Sequence, residues 1–445
     1  GLTGAAMATV AYQPARGNVA DWGDNYGNRQ DRFVSAVAYL DGARPSIIVG
    51  RGYYNKLVRA AYDWRNGQLT LRWIFDSKDA ANPANNAYSG QGNHNMTIGD
   101  VDGDGKDEII NGSSAINDDG KRLWTYGYGH GDALHMSDMD PDRPGQEIWH
   151  CLESPSEYSP NGIRLEDAKT GKTILGFPTT GDVGRALAAD IDPNHRGYEM
   201  WSSSGNLYNV KDGEIGTSKP TNGSQAVNGA VWWDGDLGRE LLDGAILDKW
   251  NPATQSLNRL FTIYQAAPVS YNNDTKKNPC LTADILGDWR EEIILRRTDN
   301  TALILFTTNI TTDKRIYTLM HDPQYRTAIA WQNSAYNQPP HPSFFLGYDM
   351  PAAPTPNIQV VSAALGINKS TVATASDVLV YPNPSNGQFT ILFNGSHSEN
   401  VKVVISNLLG QIVTQKEYKL MDGKQVLSLN IPSLTKGVYL LKVDS

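Results

Sequence analysis

Apolar residues along this chain come in short, β-prone runs. Met96-Thr-Ile98 and Glu108-Ile-Ile110 flank a polar loop, with Gly99 and Gly112 close by. Runs this short, bounded by turn residues, predict strand, loop, strand rather than helix, loop, helix. Near the C-terminus the same kind of run returns with alternation, in Val378-Leu-Val-Tyr381, Phe389-Thr-Ile-Leu-Phe393, Val401-Lys-Val-Val-Ile405 and Val438-Tyr-Leu-Leu-Lys-Val443, separated by Asn/Gly/Ser turns. This tail reads as a small β-sandwich over residues 377–445.

The loop between the first pair of runs is Asp100-Val-Asp102-Gly-Asp104-Gly-Lys-Asp-Glu108. Oxygens at alternate positions suit one hard cation, as in an EF-hand. The resemblance ends at position twelve counted from Asp100, where the bidentate Glu of that motif is replaced by Asn111. Aligning instead on a final Glu followed by apolar residues finds Asp138, Asp140 and Asp142 with Glu147, then Asp190 and Asp192 with Glu199. Weaker copies are Asp234 and Asp236 with Glu240, and Asp284 and Asp288 with Glu292. The first acids stand at 100, 138, 190, 234 and 284, so the intervals are 38, 52, 44 and 50 residues. Such spacing is near that of a four-stranded propeller blade. Leu40-Asp-Gly-Ala-Arg-Pro-Ser-Ile-Ile48 is a degenerate earlier copy.

The fold expected is therefore all-β: a calcium-stabilised β-propeller over residues 1–349, a Pro/Ser/Thr/Ala-rich linker over 350–376, and the sandwich. The acids are read as Ca²⁺ ligands that stiffen blade turns. Two alternatives stand beside that reading: metal-free Asp/Gly turns, and an acid that touches substrate.

Length and composition narrow the rest. With 445 residues, 40% of them hydrophobic, two domains are expected. A net charge of -9 spread over the chain argues against nucleic acid, and no run of eighteen apolar residues predicts a membrane span. Cys151 and Cys280 allow one bridge or two free thiols. Residue 1 is Gly with no basic-then-apolar leader behind it, which reads as a mature or truncated chain.

Several dense strings do not recur from copy to copy: Arg16-Gly-Asn-Val-Ala-Asp-Trp-Gly-Asp-Asn-Tyr-Gly-Asn-Arg29, Gln91-Gly-Asn-His-Asn95, Gly129-His-Gly-Asp-Ala-Leu-His135, Asp182-Val-Gly-Arg185, Val231-Trp-Trp-Asp-Gly-Asp236, Asn272-Asn-Asp-Thr-Lys276, Arg315-Ile-Tyr-Thr-Leu-Met-His-Asp322 and Trp331-Gln-Asn-Ser-Ala-Tyr-Asn-Gln-Pro-Pro-His341. Together, over roughly residues 10 to 348, they resemble the rhamnogalacturonan lyases of polysaccharide lyase family eleven. The resemblance implies a calcium-dependent lyase on a β-propeller that cuts the pectin backbone of alternating rhamnose and galacturonic acid. It also implies family sequence ahead of Gly1, so the propeller is expected to be N-terminally truncated. In the tail, Tyr381-Pro-Asn-Pro-Ser-Asn-Gly-Gln-Phe389, Asn407-Leu-Leu-Gly-Gln411 and Leu434-Thr-Lys-Gly-Val-Tyr-Leu-Leu441 resemble the C-terminal sorting domain of the type IX secretion system of Bacteroidota. That implies export through this secretion machinery, to the medium or the cell surface.

A uronate lyase removes the proton on carbon 5 and expels the oxygen on carbon 4, with the carboxylate charge neutralised by Ca²⁺ or Arg. Lys276 is the first candidate base, its pKa lowered by calcium or Arg185, with His94 and His130 as rivals. Arg185 would clamp the uronate carboxylate. By resemblance, Asn273, Thr275 and Tyr336 would hold the sugars. Each has a plainer reading: Lys276 as a solvated loop lysine, His94 and His130 as braces of Gly turns or of a calcium site, Arg185 in a structural ion pair. Trp232, Trp233 and Trp331 read as core, and His135 as orienting the Asp138 turn. A non-catalytic calcium propeller that binds glycans or cells, and a hydrolase using paired carboxylates, are the competing functions.

Overall fold

The computed structural model describes residues 3–358 apart from 24, 25, 27–31, 222–225, 275 and 335–338, and residues from 378 onward apart from 384, 396–399, 408–410, 420–422, 433, 435, 436 and 445. The chain divides into two units, Gly1–Asn357 and Ile358–Ser445.

Among the described residues the first unit holds six four-stranded antiparallel sheets in chain order. Sheet 1 is Phe33–Ala38, Ser46–Arg51, Val58–Arg65 and Gln68–Asp76, and sheet 2 is Gly92–Gly99, Glu108–Gly112, Ser114–Ile116 and Arg122–Thr125. Sheet 3 begins at Ala133–Ser137 and Glu147–Cys151, sheet 4 at Ala186–Ala189 and Glu199–Ser202, and sheet 5 at Ala230–Val231 and Glu240–Leu242. In sheet 6 the inner strand is broken. Val269–Ser270 and Leu281–Ala283 both pair with Glu292–Arg297, whose far edge takes Leu303–Phe306.

Consecutive sheets stack face to face, like propeller blades, because side chains alternate across each strand. Leu187 and Ala189 pack towards Trp201, Ala230 and Leu241, while Ala186 and Ala188 pack towards Trp149, Ile163 and Met200. Indole N–H groups stitch neighbours together: Trp73 donates to the Asp118 carbonyl, Trp124 to Ala168, Trp149 to Trp201 and Trp201 to Ala226, all at 2.7–3.1 Å. The outer faces of sheets 1 and 6 carry exposed Phe33 and Ile47, and exposed Leu303 and Leu305. Trp232, Trp233 and Trp331 are buried in the core. Cys151 and Cys280 are free thiols.

Every acid-rich turn joins the first two strands of a sheet and has the same base. The Glu that opens the second strand turns one oxygen back onto the turn's N–H groups. Glu108 accepts from Val101 at 3.0 Å, Glu147 from Met139 and Asp140, Glu199 from Ile191 and Asp192, Glu240 from Trp233 and Asp234, and Glu292 from Ile285 and Leu286. All five carboxylates are buried.

The expectation of an all-β first unit needs one correction, since the fold is mostly β with a helix, Pro323–Trp331, against the inner strands of sheets 1, 2 and 6. Asp322 caps it by accepting from Gln324 N at 3.0 Å, and Pro323 begins it, both ordinary start signals. The segment from this helix onward satisfies the inner edges of the sheets. Gln332 pairs with Thr282 as a strand would, accepting from its N–H and donating to its carbonyl at 2.9 Å. Ser334 does the same for Ser35. Gln324 donates to Gln146 at 2.8 Å, Ser137 donates to the Pro342 carbonyl, and Tyr348 N donates to Asp190.

Among its described residues the second unit has two three-stranded sheets. Val378–Tyr381, Gln388–Gly395 and Gly423–Asn430 form one; Ile412–Lys419, Asn400–Asn407 and Tyr439–Asp444 form the other. Ile391, Val401, Val403 and Leu429 meet in a common core, as a sandwich requires.

The shared turn base makes a direct prediction. Glu199→Ala leaves the buried N–H groups of Ile191 and Asp192 without their acceptor, at about 1–3 kcal/mol each. Calorimetry should show a midpoint lower by several degrees.

Candidate active site

Three of the unrepeated strings, Gln91–Asn95, Gly129–His135 and Asp182–Arg185, lie at the starts of the inner strands of sheets 2, 3 and 4. In the strand Gly92–Gly99 the ladder register slips between Gly92 and Thr97, and His94 N donates instead to the Gly131 carbonyl across in the next loop. A bulge of this kind re-aims side chains. It brings His94 to His130, with ring centroids 4.7 Å apart and planes at 85°. Gly131 has to be glycine here: a Cβ would lie 2.1 Å from the Cys151 carbonyl oxygen. The loop is held by Gly129 N donating to Gln91 and Ser113 Oγ donating to the Gly129 carbonyl.

His94 and His130 both face Asp132, at 3.0 and 3.6 Å, and His130 also faces Glu153 at 3.3 Å. Glu153 is placed by its own N–H donating to the His130 carbonyl at 3.0 Å. Tyr53 and Tyr54 wall the cluster, with Tyr53 OH 2.6 Å from His94 Nδ1 and the Tyr54 ring 4.1 Å from that of His130. Burial pushes the His94 pKa down to about 4, against the pull of Asp132. Asp132 is itself half-buried, yet the neighbouring His94 and His130 imidazoles hold its pKa well below the usual range.

The donor set fits a cation. His130 Nδ1 sits 2.5 Å from the Gly92 carbonyl, which only accepts, so that nitrogen carries a proton and, in the neutral ring, Nε2 presents a lone pair. This Nε2 is buried without a hydrogen bond, and it faces carboxylates. A lone pair aimed at carboxylates calls for a positive charge between them.

Across from this cluster lies a narrow cleft lined by Lys276, Arg185, His135, Ala133, Ala186, Val227 and Asn228. Lys276 rides the insertion that interrupts the inner strand of sheet 6, closed by the Asn272–Asn278 bridge. Asn273 shapes it: its backbone is left-handed at φ 55, and its side chain accepts from Lys276 N. Burial and then the Arg185 charge push the Lys276 pKa down to about 8, with Asp132 and Asp182 opposing. Arg185 is held by Asn228, which donates to Asp243, where Lys277 also lands at 2.6 Å. Thr275 and Tyr336 lie outside the described residues.

Residues 1–356 match the family described as rhamnogalacturonan lyase family 11, C-terminal domain. The chain belongs to that family. Its relatives include the rhamnogalacturonan endolyase YesW of Bacillus subtilis (strain 168), 51% identical over 358 residues that make up 80% of this chain and 56% of YesW. The rhamnogalacturonan exolyase YesX of the same organism is 48% identical over 379 residues, covering 82% of this chain and 60% of YesX. The crystal structure of YesW superposes with a TM-score of 0.75 at 50% identity, over 80% of this chain and 59% of that one. A Bacillus licheniformis rhamnogalacturonan lyase gives 0.76 at 52% identity, with the same coverage. The chain thus spans somewhat over half the length of the curated relatives it matches. Residues 379–445 match the secretion system C-terminal sorting domain, which marks this family 11 chain for secretion or the cell surface. Among the described residues no helix is long and apolar enough to cross a membrane.

The five acid turns of this family 11 chain share a base but differ at the glutamate's second oxygen. In the first, ligand oxygens of Asp100, Asp102 and Glu108 lie within 4.8 Å of one another. There Glu108 Oε1 is buried without a partner, while Asp104 pairs with Lys106 on the rim. Burial, with Asp102, Asp100 and Asp104 nearby, pushes Glu108 up to about 8. In the turn of Asp138, Asp140 and Asp142, Arg143 reaches Glu147 at 2.7 Å, and Arg196 and Lys211 hold Asp142. In the turn of Asp190 and Asp192, Asn209 donates to Glu199 at 2.9 Å. In the turn of Asp284 and Asp288, Thr307 donates to Glu292 and Arg290 pairs with Asp288. Most distinct is the turn of Asp234, Asp236 and Glu240, where the Lys249 ammonium bonds all three carboxylates, at 2.7 Å to Asp236 and 2.9 Å to Glu240.

Sequence reading singled out His94 and His130 but passed over Asp132 and Glu153. Asp132 stands in the quoted string Gly129–His135, yet belongs to no repeated turn; Glu153 had no signal beyond following a strand. His135 does not orient the Asp138 turn, because its ring nitrogens go to Ala186 and His341.

Lys249→Met leaves three carboxylates facing one another without a counter-charge. The thermal midpoint should fall in EDTA, with about 3–5 kcal/mol lost as for other broken buried pairs, and millimolar Ca²⁺ should recover part of it.

Proposed function

We propose that this chain is the catalytic part of a secreted, calcium-dependent rhamnogalacturonan lyase, a β-propeller domain over residues 1–349. In this reading 350–376 is a linker, and 377–445 is the sorting sandwich read by the type IX secretion machinery. The observation that carries the proposal is the cleft in which Lys276, with its pKa lowered to about 8, sits beside Arg185 within the field of Asp132. An adhesion propeller has no use for a lysine kept near neutrality. Chemistry of this kind needs one.

Lys276, as the free amine, takes the proton from carbon 5 of a galacturonate. The electron pair released forms the double bond between carbons 4 and 5, and the bond from carbon 4 to the bridging oxygen breaks. That oxygen departs with its electrons and takes up a proton from solvent or from Lys276. Arg185 holds the carboxylate, where negative charge develops. Asn273, Thr275 and Tyr336 hold the sugars. His94, His130, Asp132 and Glu153 would hold a cation, rather than serving as bases, because ligand atoms of His94, His130 and Asp132 lie within 4.8 Å of one another and His130 Nε2, facing Glu153, has no hydrogen-bond partner among the described residues. Bound Ca²⁺ supplies a positive charge for the uronate carboxylate. A second Ca²⁺ is assigned to Asp100, Asp102, Asp104 and Glu108, on the unpartnered Glu108 oxygen. The same fit is weaker in the other turns, where Arg143, Asn209, Lys249 and Thr307 already meet the glutamate.

Incubation with rhamnogalacturonan and Ca²⁺ should release products with the ultraviolet absorbance of an unsaturated uronate; new reducing ends without that absorbance would mean hydrolysis. Lys276→Ala should lower the rate by about 10²–10⁴-fold. The base works unprotonated, so kcat should rise with pH and level off above about 8.

Calcium removal should also show in stability. Without a cation, folded Glu108 keeps a proton up to about 8 that the unfolded chain releases near 4.5. The folded state therefore loses stability as pH rises across that window. The melting temperature in EDTA should fall from pH 5 to pH 8 and rise again with Ca²⁺; a midpoint at pH 8 that ignores calcium would remove the turn site.

A further inference from the structure

Behind the cleft runs a chain of buried hydrogen bonds whose directions are set by its two ends. His135 Nε2 lies 2.8 Å from the Ala186 carbonyl, which only accepts, so Nε2 carries the proton and Nδ1 of the neutral ring accepts. Nδ1 is 3.1 Å from His341 Nε2, which must then donate. That leaves His341 Nδ1 as an acceptor, and 3.4 Å from it stands Arg239 Nη1, a group that only donates. The directions agree from end to end: Arg239 to His341, His341 to His135, His135 to Ala186.

The far end is rigid. Arg239 is buried, its Nη2 donating to Glu291 at 3.1 Å and to the Ala230 and Pro340 carbonyls, with its guanidinium 3.9 Å over the Trp232 ring. The near end touches the site. Ala186 directly follows Arg185, and His135 lines the cleft beside Arg185 and Lys276. Burial, with Arg239 close by, pushes both imidazoles below their ordinary pKa, His135 to about 4. They stay neutral wherever the enzyme works.

We propose that His135 and His341 are positioning residues for the reaction: anchored on Arg239, they clamp the Ala186 carbonyl, keep Arg185 against Lys276, and give the cleft an uncharged floor. The proposal rests on the lyase reading above. Neither histidine touches substrate or the cation cluster in this scheme. Their effect passes through Arg185, whose charge helps keep Lys276 deprotonated.

The test compares His135→Leu with His135→Gln in the full chain. Gln retains an N–H for Ala186 and should keep kcat within about threefold of wild type. Leu should lower kcat by about 10- to 100-fold, the scale of a misplaced group, with affinity for Ca²⁺ unchanged by calorimetry. As Arg185 loosens, the rising limb of the kcat profile should move above its wild-type pH. His341→Leu, which keeps the Ala186 bond, should give a smaller fall and serves if His135→Leu does not fold. Histidine ¹⁵N shifts in the wild type should show His135 protonated at Nε2 and His341 at Nε2. Either ring protonated at Nδ1, or a folded His135→Leu with wild-type kcat and pH limb, overturns the proposal. A wild type that yields no unsaturated product overturns the lyase reading itself, and the positioning role with it, whatever the ¹⁵N shifts show of the hydrogen bonds.

Discussion

The first unit is built on a buried carboxylate at the foot of each acid turn. Turning tightly between two inner strands points backbone N–H groups inward, and a glutamate on the following strand is long enough to accept from them. The bond satisfies the turn but leaves a charge in a low-dielectric place, where it must be neutralised or protonated. How that is met differs by sheet: a guanidinium at Glu147, an ammonium at Glu240, neutral donors at Glu199 and Glu292. At Glu108 the second oxygen has no hydrogen-bond partner among the described residues. One motif thus has several electrostatic endings.

The second constraint is at the inner edges of the sheets. Strands there present N–H and C=O groups that a neighbouring strand does not reach, and the segment after the helix Pro323–Trp331 supplies them side chain by side chain. The same segment carries His341 and receives hydrogen bonds from Ser137 and Arg239 at the Pro342 and Pro340 carbonyls. The cleft of Lys276 and Arg185 and the structural centre therefore share one hydrogen-bonded core. Lys276 has its place because the inner strand of sheet 6 is interrupted, which leaves an insertion free to reach across to Arg185.

Much of the fold is legible in the sequence. The spacing of Asp100, Asp138, Asp190, Asp234 and Asp284 marked five strand pairs, each found where a glutamate follows. Leu40 to Ile48 was a copy too, but its turn lacks the glutamate; Tyr39 N donates instead to Asp107 of the next sheet. The helix was missed although Asp322-Pro323 is a legible start signal, because it is short and its buried face mixes Gln324 and Thr327 with Tyr325, Ala328 and Trp331. Polar residues there serve the sheet edges, a duty that no periodicity announces.

The sequence by itself determined the repeat, the strand-forming runs, the two units and the family, since these follow from local spacing and from strings long enough to be specific. Which acids are left without a counter-charge was decided only by tertiary structure, because Lys249 and Arg143 cancel charges they reach through folding. So was the company of His94: Asp132 lies 38 residues away and Glu153 further still, and neither carries a local signal. Side chains gathered from separate inner loops come together only when the sheets stack and the bulge at Gly92–Thr97 turns His94 towards them.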